Sequence, residues 1–284
     1  MQDTGPQDGA DRRLAEDWWR TDIIRMQPGE IRLRGYAVEE LIGRISYPQM
    51  VWLMTRGSLP SPAQARLMEA ALVAGVDHGP QAPSIAIARM AVTGGVGING
   101  AMASAINVLD DVHGGAGEQA VALFHEIAAE IAAGAGPPEA AVARVLGRRQ
   151  AAGMRYVPGF GHRFHPVDPR APRLLALVDE AAAAGLVEGR FAAIARAIDA
   201  HLKAAKSRPV PMNIDGATAV IYAELGFAPA LCRGLFILSR AVGILAHAHE
   251  QSLAPARNKG PLPRQWLWTY GGAPDRALPD EGDR

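Results

Sequence analysis

The chain has 284 residues, with 29 Lys and Arg balanced by 29 Asp and Glu, 49% hydrophobic residues and one cysteine. That balance lacks the basic footprint of a nucleic-acid binder, and a lone Cys232 excludes an internal disulfide framework and any CxxC metal or redox site. The length suits one domain or two intimate ones, and no apolar run reaches the ~18 residues that span a bilayer. With a polar start unlike a signal peptide, the sequence predicts a cytoplasmic protein that engages neither membrane nor nucleic acid.

Residues 1–16 hold Gly, Pro, Asp and Gln with almost nothing to bury, which predicts a disordered leader; the Pro- and Gly-rich end from Gly271 reads as a loose tail. GEIRLRGYAV is the one candidate hairpin, near the start. Helical spacing dominates the rest. Ser61 and Pro62 open a helix that closes on Gly75. Further helices are predicted at about 84–93, 99–112, 138–152, 171–185, 189–204, 216–225 and 228–250. Leu123, Ile127 and Ile131 recur at i, i+4 and i+8, the apolar stripe of an amphipathic helix. The expectation is a mainly α protein with loops rich in Gly, Pro and His.

Several patterns carry little chemistry. Gly95–Gly100, GVGING, fits the G-x-G-x-x-G expression without the preceding strand or later acidic residue that a dinucleotide site needs. His247 and His249 are two apart on a predicted helix and point to different faces, and His125 and His201 lie on ordinary amphipathic helices. Three histidines stand apart because glycine-flanked loops hold them: His78 in DHGP, His113 in DDVHGGAGE and His162 in VPGFGHRFHPVDPR. Each alone could be structural. Asp215, in MNIDGATA, reads by itself as a helix N-cap.

In this order and spacing, RLRGYAVEELIGRISYPQMVWLMTRGSLP, DHG, VHGGAGE, GFGHRFHPVDPRAPR, MNIDGATAVIYAELGF and LSRAVGILAHAHEQ resemble the citrate synthase superfamily from about Thr21 to Arg264, and within it the short citryl-CoA lyase-like members. The resemblance implies an all-α fold with a large domain of about 17–115 and 226–284. A small mobile domain of about 116–225 would carry His162 and Asp215. It implies Asp215 as the acid–base carboxylate, His113 as hydrogen-bond donor to the thioester oxygen and His162 as donor to the oxo-acid carbonyl. His78, Arg170 and Arg240 would hold the oxo acid. Coenzyme A would lie near Gly159, Gly161, Arg163, Lys206 and Asn213, as part of a substrate and not as a tightly bound cofactor, and no metal is required.

The third carboxylate-binding arginine, expected from a partner subunit near the C-terminus, is replaced by Leu262 in Pro261-Leu262-Pro263-Arg264-Gln265, with Arg257 and Arg264 as alternatives. The resemblance further implies a homodimer or higher homo-oligomer, and it leaves open a separate ATP-dependent citryl-CoA ligase, as in some systems with a separate lyase. Three functions stay open: cleavage of citryl-CoA to acetyl-CoA and oxaloacetate, condensation of an acyl-CoA with a 2-oxo acid as in citrate or methylcitrate synthases, and a catalytically silent CoA-binding relative.

Overall fold

The computed structural model describes residues 6–134, 136–162, 166–205, 208, 210–263 and 265–277, with the backbone alone at 6–10 and 12. It is mostly helical, as the periodicity predicts. The leader differs from expectation, because it forms helix α1 (Pro6–Trp18). Its Ala10–Glu16 run is rich in strong helix formers, and Leu14 and Trp18 remain 70% and 80% exposed, so local propensity rather than burial makes this helix.

Strands β1 (Ile24–Gln27), β2 (Glu30–Leu33) and β3 (Tyr36–Ala37) form an antiparallel sheet in that order, one strand more than the predicted hairpin. Both connections have two residues. Arg34 and Gly35, at φ 49° and 90°, make the doubly positive turn that matches strand twist between Leu33 and Tyr36.

Helices α2 (Val38–Leu41), α3 (Tyr47–Arg56) and α4 (Pro62–Ala74) follow. Ser46 and Ser61 open α3 and α4 with capping boxes, each hydroxyl accepting from the Gln three residues on while the Gln side chain accepts from the Ser N–H. Next come α5 (Pro83–Thr93), α6 (Ile98–Ile106), α7 (Ala116–Ala132) and α8 (Pro138–Ala151). The last four are α9 (Arg170–Ala183), α10 (Arg190–Ala205), α11 (Ile214–Glu224) and α12 (Pro229–Leu253). α6 ends at Ile106, short of the expected 112, because the chain turns there into a loop closed by a bridge between Asp110 and Gly114.

Packing divides the chain into two compact units, residues 1–77 with 109–242 and residues 78–108 with 243–284. These boundaries follow contact density, whereas the expected small domain at 116–225 concerns motion. In the first unit α11 is buried on every side from Gly216 to Ala223, and α4, α7, α9 and α10 pack around it. An apolar helix without a polar face belongs in such a centre. Leu123, Phe124 and Ile127 of α7 and Ile194 and Ile198 of α10 supply fully or nearly fully buried neighbours, each side chain contributing about 1.5–3 kcal/mol. In the second unit α5 and α6 pack together, and Arg89 of α5 donates to Gln251 of α12 at 3.1 Å.

α12 is long and apolar enough to cross a membrane by length and composition, with mean hydropathy 1.5, although no uninterrupted apolar run exists in the sequence. Arg233 and Arg240 interrupt it. Ser239, Arg240 and Gln251 are buried and hydrogen-bonded to α4, the residue after it and α5.

Glu224 ends α11 and turns its carboxylate onto the start of α10, accepting from the N–H groups of Gly189, Phe191 and Ala192 at 3.0, 2.7 and 3.2 Å. These donors have no partner inside α10, and the negative charge faces the positive end of that helix. Glu224→Ala is expected to lower the unfolding free energy by about 2 kcal/mol with the denaturant slope unchanged, whereas Glu224→Gln keeps an acceptor oxygen and loses less. Urea titrations of both variants measure the difference.

Candidate active site

The loop from Val157 to Pro169 meets the N-terminus of α11 at unusually short range. A Cβ on Gly159 would lie 2.6 Å from the Gly216 Cα, and one on Gly216 would lie 2.3 Å from the Gly159 carbonyl oxygen. Gly159 and Gly161 also hold φ of 82° and 95°, where side chains are strained. Gly159 thus has an intramolecular task, letting this loop lie against α11. Asn213 N–H donates to Gly159 O at 3.0 Å, Gly161 N–H to Pro211 O at 2.7 Å, and the Asn213 amide to Gly161 O at 2.8 Å.

Asn213 also caps α11, its Oδ1 accepting from the N–H groups of Asp215 and Gly216 at 3.0 and 3.2 Å. This corrects the reading of Asp215 as the N-cap. With capping done by Asn213, the Asp215 carboxylate sits in the first helical turn and is left for other work.

Asp168, which motif reading passed over in favour of its neighbour Arg170, organises the loop. Its side chain has no exposed surface. Oδ1 accepts from Arg170 N–H and Nε at 3.1 and 3.0 Å, and Oδ2 accepts from Arg170 Nη2 at 2.9 Å and from Ile214 N–H at 3.1 Å. Burial pushes the carboxyl up, but the side-chain and backbone hydrogen bonds of Arg170 outweigh it and hold Asp168 below the usual carboxylate range. His162, nearly enclosed at 6% side-chain exposure, brings Nε2 to 3.9 Å from Asp168 Oδ2. A protonated imidazole there would face a fixed anion. The sequence signal for Asp168 was the D-P-R spacing, which sets a carboxylate two residues ahead of a helix start.

Two arginines expected to bind substrate carboxylates are brought to Asp215. Arg240 is 4% exposed, donates from Nε to Gly75 O at 3.1 Å and stacks its guanidinium 4.9 Å from the Phe236 ring centroid. A Cβ on Gly75 would lie 2.8 Å from Ser239 Oγ, so glycine at the end of α4 is what lets α12 come this close. Arg170 donates to Ala74 O at 3.3 Å, the residue before that glycine.

Burial pushes the Asp215 carboxyl above its ordinary value of 3.8, with Arg240 and Arg170 opposing and Asp168 adding to the rise. Burial also pushes Arg240 down, opposed by Asp215 and Asp77. The result is a carboxyl that holds its proton more tightly than a surface aspartate, set beside two cations.

His113 lies in the turn that the Asp110–Gly114 bridge closes, just before α7. A Cβ on Gly117 would lie 3.9 Å from the Asp215 carbonyl oxygen, so the first turn of α7, just beyond the histidine, borders the start of α11. The first unit therefore brings His113, His162, Arg170, Arg240, Asn213 and Asp215 onto adjoining elements. His78 is the first residue of the second unit, in the loop before α5. Arg163, Lys206 and Arg264 lie outside the described residues, and Leu262 is 59% exposed in the second unit. Among the described residues no group of three His, Cys, Asp or Glu side chains could hold a metal.

A cavity of about 800 Å³ adjoins the loop, lined by Arg149, Arg155, Tyr156, Phe160, Gly161 and His201 among others. Aromatic faces, an imidazole and two guanidinium groups around a void of that size suit a nucleotide-sized anion. Arg149 already pairs with Glu126 at 2.6 Å. A smaller hollow of about 380 Å³ is confined to the β1–β2 edge and touches none of these residues.

Residues 54–264 match the family "Citrate synthase, C-terminal domain". The glyoxysomal citrate synthase of Cucurbita maxima is 31% identical over 245 residues, 82% of this chain and 44% of that protein. The chain thus spans less than half the length of that curated relative. The structure of citryl-CoA lyase from Hydrogenobacter thermophilus superposes with TM-score 0.80 and 31% identity, covering 94% of this chain and 99% of that one. Citrate synthase from Thermoplasma acidophilum, in its ternary complex with carboxymethyl coenzyme A and oxaloacetate, gives TM-score 0.68 and 25% identity over 84% of this chain and 60% of that one. With the family match covering most of its length, this chain belongs to the citrate synthase family.

Proposed function

We propose that the protein is a citryl-CoA lyase-like enzyme that cleaves citryl-CoA, or a related acyl-CoA, to acetyl-CoA and oxaloacetate through an enol or enolate. The observation that carries the reading is the buried Asp215 carboxyl, held above its ordinary pKa beside Arg240 and Arg170. Near end-to-end likeness to a citryl-CoA lyase supports the direction. Condensation of an acyl-CoA with a 2-oxo acid is the second reading, favoured by the citrate synthase likeness over 82% of the chain.

In the cleavage direction the carbinol hydroxyl of citryl-CoA gives its proton to His162 as its oxygen becomes the oxo-acid carbonyl. The imidazolium so formed faces Asp168, whose Oδ2 lies 3.9 Å from Nε2. The electrons of the breaking C–C bond pass into the thioester, where His113 donates to the developing oxyanion. Asp215, starting protonated, delivers its proton to the enolate carbon and completes acetyl-CoA. Condensation runs the same groups in reverse, with Asp215 starting ionised. Arg170 and Arg240 hold substrate carboxylates, and the role given to His78, holding the oxo acid, rests on sequence likeness alone.

Coenzyme A enters as part of the substrate, with its nucleotide end in the cavity beside Gly161 and with Arg163, Lys206 and Asn213 assisting. The proposal includes a homodimer, a small domain at 116–225 that closes on substrate, a separate ATP-dependent citryl-CoA ligase and a cytoplasmic setting. Leu262, where the family likeness expects arginine, leaves one substrate carboxylate to Arg257 or Arg264, or selects an oxo acid with one carboxylate fewer.

Thiol release and acetyl-CoA formation, measured in parallel on citryl-CoA alone and on acetyl-CoA plus oxaloacetate, test the reading. Rapid cleavage with little condensation is expected; the reverse pattern establishes the synthase, and silence on both with a panel of oxo acids and acyl-CoAs leaves a silent CoA-binding relative. Asp215→Asn is expected to lower turnover by roughly 10²–10⁴-fold with coenzyme A affinity nearly unchanged. Near-normal turnover would remove Asp215 from this role.

The raised pKa sets signs for pH. Cleavage starts with Asp215 protonated, so its rate falls as pH rises through that pKa, whereas the condensation rate rises through it. Stability follows the same group: the folded chain binds the proton more tightly than the unfolded one, so the contribution is full below the ordinary value of 3.8 and is lost as pH rises through the folded value. Asp215→Asn, neutral throughout, is expected to melt higher than the native chain above that window, the gap shrinking on acidification. Thermal melts at a series of pH values read this, and an unchanged gap would show that the carboxyl is not destabilised by burial.

A further inference from the structure

The loop that carries His113 is fastened by one guanidinium that motif reading did not single out. Arg233, in α12, donates from Nε to Glu118, from one Nη to Asp110 and from the other to Asp111. Asp110 and Asp111 precede His113, and Glu118 stands in the first turn of α7 after it. One side chain therefore grips the histidine segment from both ends. These pairs keep the Arg233 pKa raised, led by the hydrogen bond to Asp111.

Other contacts confine the same segment. The Gln119 amide donates to Asp111 O at 3.0 Å, and a Cβ on Gly115 would lie 2.7 Å from that oxygen, so the turn is already closed to its steric limit. A Cβ on Gly114 would lie 3.2 Å from the Phe236 ring. Arg233, Phe236 and Arg240 stand at i, i+3 and i+7 on α12, one face of the helix. That face therefore meets the His113 segment at one end and Asp215 at the other.

Stability from the two aspartate pairs is small, and the partly buried pair with Glu118, at 25% exposure, is the stronger one. Asp110 and Asp111 are each 77% exposed, and exposed ion pairs contribute about 0–1 kcal/mol apiece. A planar fork with three carboxylates at three nitrogens instead specifies geometry. We propose that Arg233 is a positioning residue, which fixes the height of the His113 imidazole relative to Asp215 so that donor and acid–base group address one thioester together. The catalytic part of this rests on the function proposed above.

Two measurements separate the parts. The first is amide hydrogen exchange on the intact protein: Arg233→Gln is expected to speed exchange at least tenfold in residues 109–118 while leaving α9 and α10 unchanged. Unchanged exchange in 109–118 overturns the clamp whatever reaction the protein performs, and so does a rise spread evenly over the chain.

The second is steady-state kinetics on whichever substrate the native protein turns over. Arg233→Gln is expected to lower kcat roughly tenfold to a hundredfold with KM for the acyl-CoA within about twofold, since misplacing a catalytic group by about an ångström costs that much. Arg233→Lys restores one positive charge without the fork and is expected to fall between. Unchanged kcat in Arg233→Gln, or kcat and KM worsening together, overturns positioning. A native protein inactive on every acyl-CoA, with the exchange result as expected, sinks the proposed reaction and leaves the clamp standing.

Discussion

Asp168 has no exposed surface, and a carboxylate so placed is tolerable only when its oxygens are supplied with donors. Arg170 supplies three and the Ile214 N–H a fourth. Because the Ile214 donor belongs to α11 and Arg170 opens α9, one side chain ties two helix starts to the loop between Phe160 and Pro169. Removing it would strand a guanidinium and a helix N–H together, a loss of about 3–5 kcal/mol by the usual cost of breaking a buried pair. His162 inherits its place from this knot. Its imidazole stands with Nε2 3.9 Å from a carboxylate that is itself immobilised.

Asp215 is the opposite case. It is partly buried, no backbone N–H among the described residues donates to its oxygens, and the two arginines near it do not fully offset burial. The fold tolerates this because Asn213 performs the capping that Asp215 would otherwise do. A stable helix start and a chemically available carboxylate are thus divided between neighbours two residues apart. The two aspartates differ in pKa direction for a physical reason: the Arg170 hydrogen bonds outweigh burial at Asp168, whereas at Asp215 burial wins over the charges of Arg240 and Arg170.

The helices were legible because their signals are local. Ser61-Pro62 with Gln64 is a complete start, and the stripe through Leu123 and Ile127 needs only period 3.6. The leader was misjudged because composition reports burial and not propensity, and α1 forms with exposed apolar side chains. The candidate site was legible through its glycine-flanked histidines and through family likeness. Its supports were not. Asp168 and Arg233 act through partners 46 and 115 residues away in sequence, and no spacing rule connects such positions. Gly159 shows the same limit in another form: its glycine suggested an approaching ligand, whereas the approaching atoms belong to Gly216 of the same chain.

The placement of Arg240 shows how helix packing becomes electrostatics. The guanidinium is costly to bury, and it is held by a carbonyl at the end of α4, a ring on its own helix and the charges of Asp215 and Asp77. The carbonyl contact depends on α12 lying close to Gly75, where any larger residue would press on Ser239. A shift of α12 outward would weaken the cation's grip on Asp215 and raise that carboxyl further. The approach of α12 to Gly75 therefore helps to set how readily Asp215 holds its proton.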